Sequence, residues 1–156
     1  MKIGLLCNFY GFPQYTDKVL AAWKNIPEVS VVAVSSFKYK DYANFGWDMD
    51  DIETPVQLVT EHREFVDYIS IGKDGDDSSA RNPALFNILD NHNVDCVWLL
   101  DQDEIYSEED IRNTLDYLAP LAPKSPTYRI NFKNFVFSED QYIENFIAPR
   151  IFGVNV

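Results

Sequence analysis

Cysteine occurs only twice in the 156 residues, as Cys7 and Cys96. Each lies inside an apolar run, so two buried free thiols are expected in place of a disulfide framework or a zinc site. Basic residues are also scarce: 13 Lys and Arg stand against 25 Asp and Glu, a formal net charge of -12. The clustered Lys and Arg that grip a nucleic-acid backbone are missing, so no direct backbone binding of nucleic acid is expected. Any phosphate-bearing ligand must bring or recruit its own cation. No apolar run approaches the roughly 20 residues that span a bilayer. Met1-Lys2-Ile3 leads straight into a strand-like segment, without a signal-peptide pattern. The default is a cytoplasmic protein with no transmembrane segment.

What is present is enough for a core. Apolar residues make up 46% and aromatic residues 15% of the chain, too much for a disordered one. A chain of about 150 residues buries some 68–70% of its surface, and no repeat or linker divides this one, so residues 1–156 are read as a single domain. The acids are unevenly placed. Residues 1–46 hold three acids and five bases, residues 47–116 hold nineteen and four, and residues 117–156 hold three and four. Asp48-Met49-Asp50-Asp51 and Lys73-Asp74-Gly75-Asp76-Asp77 have turn composition, and solvated loops account for most of that acidity.

The hydrophobic pattern alternates strands with helices. Lys2 to Phe9 is an apolar run ending at Tyr10-Gly11-Phe12-Pro13, a strand and a turn. Tyr15, Val19, Ala22, Trp23 and Ile26 recur at helical spacing, and Pro27 ends that pattern. Val29 to Val34 is β-branched and almost without polar residues, as in a strand covered on both faces, with Ser35-Ser36 at its C-terminal edge. Phe65 to Ile71 is the third strand candidate, and residues 37–64 are only loosely assigned. Ala80, Ala84, Leu85, Ile88 and Leu89 form a helical stripe with Ser78 or Ser79 as cap and Pro83 in the first turn. Val94 to Leu100 is a central strand. Ser107 can cap a helix carrying Ile111, Leu115 and Leu118 and ending at Pro120. Tyr128, Ile130 and Phe132 then alternate with polar residues, and Ile147 to Phe152 can pair with that strand. The fold class predicted is α/β, Rossmann-like: a mostly parallel sheet flanked by helices, with a C-terminal antiparallel addition.

In open parallel sheets, ligands bind outside the C-terminal strand edges. Here those edges carry Asn8-Phe9-Tyr10, Ser35-Ser36, Gly72 to Asn82, and Asp101 to Glu104. Asp101 and Asp103 stand two apart at the mouth of a buried strand, a spacing at which two carboxylates can address one hard divalent cation directly or through water. Mg²⁺ or Mn²⁺ there could bridge two phosphates and neutralise a departing diphosphate. The blander account is that the acids solvate a loop and favour the N-terminus of the next helix.

The segment Gly72-Lys73-Asp74-Gly75-Asp76-Asp77-Ser78-Ser79-Ala80-Arg81-Asn82-Pro83-Ala84-Leu85, followed about a dozen residues later by Val97-Trp98-Leu99-Leu100-Asp101-Gln102-Asp103-Glu104, resembles the family-2-like glycosyltransferases of the GT-A fold. In that family an Ala-Arg-Asn-x-Ala-Leu-like helix start precedes an apolar strand ending in Asp-x-Asp-Glu. Pro149-Arg150-Ile151-Phe152 looks like the family's strand downstream of the metal motif. The resemblance spans most of the chain, although its specific motifs occupy residues 72–104. It implies a GT-A-like domain that binds a nucleoside-diphosphate sugar and, with a divalent cation (Mn²⁺ or Mg²⁺), transfers a hexosyl-type sugar to an unidentified hydroxyl. Asp103 would be the principal metal ligand, and Asp101 would bind ribose or reach the metal through water. Arg81 and Asn82 would help bind the nucleotide or diphosphate, with Arg81 equally able to pair with Asp76 or Asp77. Asn8 would face the base at the first strand edge and Ser35 the nucleotide at the second. Phe9 and Tyr10 could stack on the base or belong to the core.

The chain also departs from the family. Ser35-Ser36-Phe37 stands where the family usually carries an acidic residue near a Ser-Thr-Asp cluster. The family places an acceptor segment and usually a base after the Arg-Ile-Phe strand, and this sequence ends at Val156. The catalytic residue is thus unassigned; Glu139, Asp140 and Glu144 are candidates by position alone. A partner subunit would be one way to complete the acceptor site. Two alternatives stand beside this reading: a noncatalytic nucleotide-sugar-binding or partner-dependent module, and a nucleotidyltransferase-like enzyme. The latter is disfavoured because Cys7 to Pro13 offers only Gly11 toward a phosphate loop. His62 and His92 have no spacing that suggests metal or catalytic work and are expected in loops or at the surface.

Overall fold

The strands that carry the site are side by side because of how the apolar runs stack. In the computed structural model, which describes residues 1–9, 13–36, 61–72, 77–121, 127–138 and 141–154, six strands form one sheet. The chain runs β1 (Ile3–Asn8), α1 (Pro13–Ala21), a 3₁₀ turn (Trp23–Asn25), β2 (Val29–Ser36), β3 (Tyr68–Ile71), α2 (Asp77–Asn91), β4 (Cys96–Asp101), α3 (Glu108–Leu118), β5 (Thr127–Ser138) and β6 (Gln141–Gly153). The sheet order is β3-β2-β1-β4-β6-β5. β1 to β4 are mutually parallel, while β6 is antiparallel to both β4 and β5. The predicted α/β class with an antiparallel addition is what the chain adopts.

β1 lies at the centre and every one of its residues is buried, which explains its unbroken apolar run. Side chains alternate across the sheet. Leu5, Cys7, Val32, Val34, Trp98 and Leu100 form one core with Val19 and Leu20 of α1 and Ile111 and Leu115 of α3. Leu6, Val31, Ala33 and Val97 form the other with Ala84 and Ile88 of α2. Trp98 stands edge-on to Trp23 at 4.7 Å and to Tyr106 at 5.6 Å between ring centroids. Both cysteines are free and buried, as expected. Burial, then the Asp101 charge, pushes the Cys7 thiol far up; burial, then Asp95, takes Cys96 to about 11. Neither is a thiolate at neutral pH.

The Ser107 cap forms as predicted, its Oγ accepting the Asp110 N–H at 3.0 Å. The start of α2 does not. The helix begins at Asp77, so Pro83 lies in its second turn, where it removes the bond that an N–H would give the Ser79 carbonyl. β3 starts at Tyr68, later than expected, and His62 is mostly buried, its ring between Asp17 and Lys24. The β5–β6 ribbon is longer than its clean alternation suggested, because register shifts at Tyr128/Arg129 and Phe132/Asn134 break the period of two.

Gly4 sets the distance between α2 and the sheet. A Cβ there would fall 2.5 Å from Cγ2 of Ile88, which is fully buried and β-branched. Gly4→Ala is therefore expected to lower the unfolding free energy by about 1–3 kcal/mol through overpacking. A lower urea midpoint at unchanged slope would record it, whereas an unchanged midpoint would mean that α2 lifts without cost.

Candidate functional site

Strand register assembles the site. At the C-terminal edge of the sheet Asn8 is paired with Ser35 on one side and with Asp101 on the other. Partners in register share a sheet face, here the one covered by α2. Asn8 is fully buried and its amide is spent in both directions. Nδ2 donates to Asp101 Oδ1 at 2.8 Å, while Oδ1 accepts from Ser35 Oγ at 2.7 Å and from Arg81 Nε at 3.2 Å. Ser35 Oγ also lies 3.3 Å from the Cys7 carbonyl. Four of the residues expected at the site, Asn8, Ser35, Arg81 and Asp101, are thus joined in one hydrogen-bonded chain.

The Asp-x-Asp-Glu turn divides by parity. Gln102 and Glu104 point inward and are buried; Asp103 is exposed. Gln102 Nε2 donates to the buried Thr16 Oγ1 at 3.0 Å, which ties the turn to α1. Glu104 receives Arg150 from β6. Arg150 Nε donates to Glu104 Oε1 at 2.7 Å, and its terminal NH₂ reaches Asp101 Oδ2 at 2.9 Å. The guanidinium also lies 5.7 Å from the centroid of the Phe132 ring, within cation–π range. One arginine therefore bridges two carboxylates.

Burial raises the Glu104 carboxyl; the Arg150 guanidinium pulls it back without cancelling the rise, and Asp101 adds to it. Burial works against the charge of Arg150, but Glu104 and Asp101 outweigh it and hold the guanidinium more firmly protonated. Tyr106, whose OH is 3.5 Å from Glu104 Oε2, is pushed up by burial and then by the Glu104 charge.

Asn82 is exposed and takes no part in this network. Phe9 is fully buried in the core, which corrects the alternative in which its ring stacks on a base. Tyr10, Asp76, Glu139 and Asp140 lie outside the described residues, as do the side chains of Asp77 and Glu144. Arg150 and Gln102 were not among the expected site residues. Arg150 had a signal: a lone cation in an apolar strand of an acid-rich chain needs a carboxylate partner when half-buried. Gln102 had none, because its partner Thr16 is 86 positions away.

Cation binding can be tested against the donor chemistry. Among the described residues no cluster of three or more His, Cys, Asp or Glu side chains could cage a metal. Mg²⁺ rarely uses such a cage; it is held by one or two carboxylates together with substrate phosphates and waters. Asp103 fits that role, being exposed at the mouth and without a partner among the described residues. Asp101 fits it less well, since both of its oxygens are already engaged.

No protein-family model and no curated protein sequence matches this chain. Solved structures do resemble it in fold. The glycosyltransferase TarS of S. aureus (residues 1–349) superposes with a TM-score of 0.54 at 16% identity, over 89% of this chain and 37% of its own. TarS in complex with UDP gives a TM-score of 0.52. The 4-diphosphocytidyl-2C-methyl-D-erythritol synthase of Anaerococcus prevotii gives 0.52 at 13% identity, over 97% of this chain and 70% of its own. This chain thus spans little more than a third of the TarS structure. The fold is GT-A-like, of the kind shared by glycosyl- and nucleotidyltransferases, and the likeness does not single out family 2. Among the described residues no helix is long and apolar enough to cross a membrane.

Proposed function

We propose that this chain is the donor-binding domain of a metal-dependent glycosyltransferase that takes a nucleoside-diphosphate sugar and transfers a hexosyl-type group to a hydroxyl acceptor. The observation that carries the reading is the Asn8, Ser35, Arg81 and Asp101 chain at the C-terminal edge of a parallel sheet, where ligands of such sheets bind. Asp101, held by Asn8 and Arg150, offers its remaining lone pairs to ribose hydroxyls. Arg81 supplies positive charge beside the diphosphate, and Asn82, one position on and exposed, can approach the ligand from the helix surface. Asp103 would hold the cation, which when bound supplies charge neutralisation of the departing diphosphate. The acceptor's proton needs a base, for which Glu139, Asp140 and Glu144 remain the candidates by position.

Thermal unfolding tests the reading. UDP, GDP and CDP are compared, each with and without Mn²⁺, on the wild type and Asp103→Ala. A ligand at a hundredfold excess over its Kd stabilises by about 2.7 kcal/mol. The expected result is a rise in Tm for at least one diphosphate that is larger with Mn²⁺, with the Mn²⁺ increment gone in Asp103→Ala. Equal shifts with and without metal would overturn the cation role, and no shift with any diphosphate would overturn donor binding. The fit across 97% of this chain to a cytidylyltransferase-type fold favours one second reading, a nucleotidyltransferase. It predicts release of pyrophosphate from a nucleoside triphosphate where the first predicts transfer or hydrolysis of a sugar.

A further inference from the structure

The α2 side of the sheet is only half covered. Among the described residues α2 packs over β2, β3 and β1, and no helix lies over β4, β6 and β5 on that side. Strands of a parallel sheet such as β4 are ordinarily covered on both faces. Beside α2 the gap is a groove of about 520 Å³, with Val97, Leu99 and Phe152 as its floor and Leu85 and Leu89 of α2 as its wall. Val97 and Phe152 are register partners and so share that face. Leu89 and Phe152 remain 39% and 37% exposed there.

The same surface carries a projection that matches the groove. Ala84 and Ile88 of α2 are buried against the sheet, and Phe86, two positions from each, lies about half a turn round the helix and is 55% exposed. A cavity of about 150 Å³ already holds benzene, so the groove admits a phenyl ring together with aliphatic side chains beside it. A projection and a groove side by side on one surface are what a twofold pair requires, because each copy then supplies both. With the twofold axis parallel to α2, the helix of one copy lies over β4 and β6 of the other, its outward side toward their uncovered face. Charge permits this approach on a chain of net charge -12. Residues 82–89 carry no charge, and residues 145–154 carry only Arg150, which is engaged by Glu104 and Asp101. Arg129 of β5, exposed and alternating with Tyr128 and Ile130 of the opposite core, adds a cation at the rim, which favours a partner as acidic as this chain. The area is sufficient too. The 15 residues of α2 make about 22 Å of helix roughly 10 Å wide. With three uncovered strands about 14 Å across, the footprint is on the order of 500 Å² in projection, and accessible area exceeds projection on a ridged surface. A standard interface buries about 800 Å² of accessible surface per partner.

We propose that this face pairs with a second copy of the chain about a twofold axis, Phe86 of each copy entering the groove of the other. The pairing does not depend on the donor reading above. Analytical ultracentrifugation tests it on the wild type, Phe86→Glu, Phe86→Ala and Tyr117→Glu, with far-UV circular dichroism to check that each is folded. Tyr117 is the control, being 68% exposed on α3, on the other side of the sheet. The expected mass of the wild type is twice the 18.0 kDa of one chain at about 10–100 μM, where a micromolar Kd is saturated. Phe86→Glu should raise that Kd by about thirtyfold or more, as the loss of a central hot spot does. Phe86→Ala, which adds no charge, should weaken pairing in the same direction, and Tyr117→Glu should leave it unchanged. A wild type that stays at 18.0 kDa throughout overturns the proposal and leaves the groove to a different partner or to another part of this chain. A dimer that survives both Phe86 variants, or that Tyr117→Glu dissociates, uses another surface and overturns it as well. Masses that climb past two chains overturn the closed pair, since only a head-to-tail contact keeps growing.

Discussion

Arg150→Met is expected to lower the stability of the protein by about 3 kcal/mol at pH 7, the lower end of what breaking a buried ion pair costs. Side chains of Arg150, Glu104 and Asp101 are 13%, 9% and 24% exposed, so the charges left behind are poorly hydrated. Methionine keeps most of the volume and removes every donor. The deficit should depend on pH in one direction. Burial already raises the Glu104 carboxyl and Arg150 opposes that rise, so deleting Arg150 lifts it further. A carboxyl whose folded pKa lies above its unfolded value of about 4.3 contributes its stability below that value and loses it as pH rises through the folded pKa. The variant should therefore approach the wild type near pH 4 and fall away from it toward pH 7. Urea midpoints at several pH values measure this. Arg150→Met/Glu104→Gln, which removes the buried charge with its partner, should recover part of the loss at pH 7. A deficit that is the same at pH 4 and pH 7 would show that Arg150 acts by packing on Phe132 and not by charge.

This ion pair also marks where the sequence stops being informative. β1, β2 and β4 are legible because they are covered on both faces over most of their length and, Ser30 of β2 apart, have no polar residue until the C-terminal edge; Asn8, Ser35 and Asp101 stand out at those edges for the same reason. Ser107 is legible because a cap acts within four residues. The start of α2 is not, because Pro83 tempts a reading in which it must occupy the first turn, whereas packing of Ala80, Ala84 and Ile88 over Gly4 and Gly72 outweighs one missing backbone bond. Local pattern likewise shows two acids at Asp101 and Asp103 without showing that they differ. The register with Asn8 and the approach of Arg150 turn one into a paired, partly buried group and leave the other exposed. Both causes lie dozens of residues away, at separations of 93 and 49 positions.

Asn8→Asp should be the most pH-sensitive change at the strand edge. It is nearly isosteric, but the Nδ2 that donates to Asp101 becomes an acceptor, which sets two carboxylate oxygens about 2.8 Å apart at a fully buried position. Two carboxylates so placed cannot both ionise without strong repulsion. Unit charges 4 Å apart interact by about 4 kcal/mol at the effective dielectric of a protein surface. Arg81, which already bonds the Asn8 side chain at 3.2 Å, offsets part of this, so a loss of about 2–4 kcal/mol is expected at pH 7. The pair would then titrate as a unit, with one macroscopic pKa raised. A raised folded pKa means that the loss is absent below the unfolded value and grows as pH climbs, so the variant should match the wild type at pH 4 and not at pH 7. Asn8→Ala supplies the contrast. It takes one partner each from the Ser35 hydroxyl, Arg81 and Asp101 without adding charge, and its cost should vary far less over the same range. If both variants lose stability equally at every pH, Asn8 acts only as a neutral spacer between β2 and β4. If only Asn8→Asp recovers in acid, its amide is what lets an ionised Asp101 stand at the centre of the sheet edge.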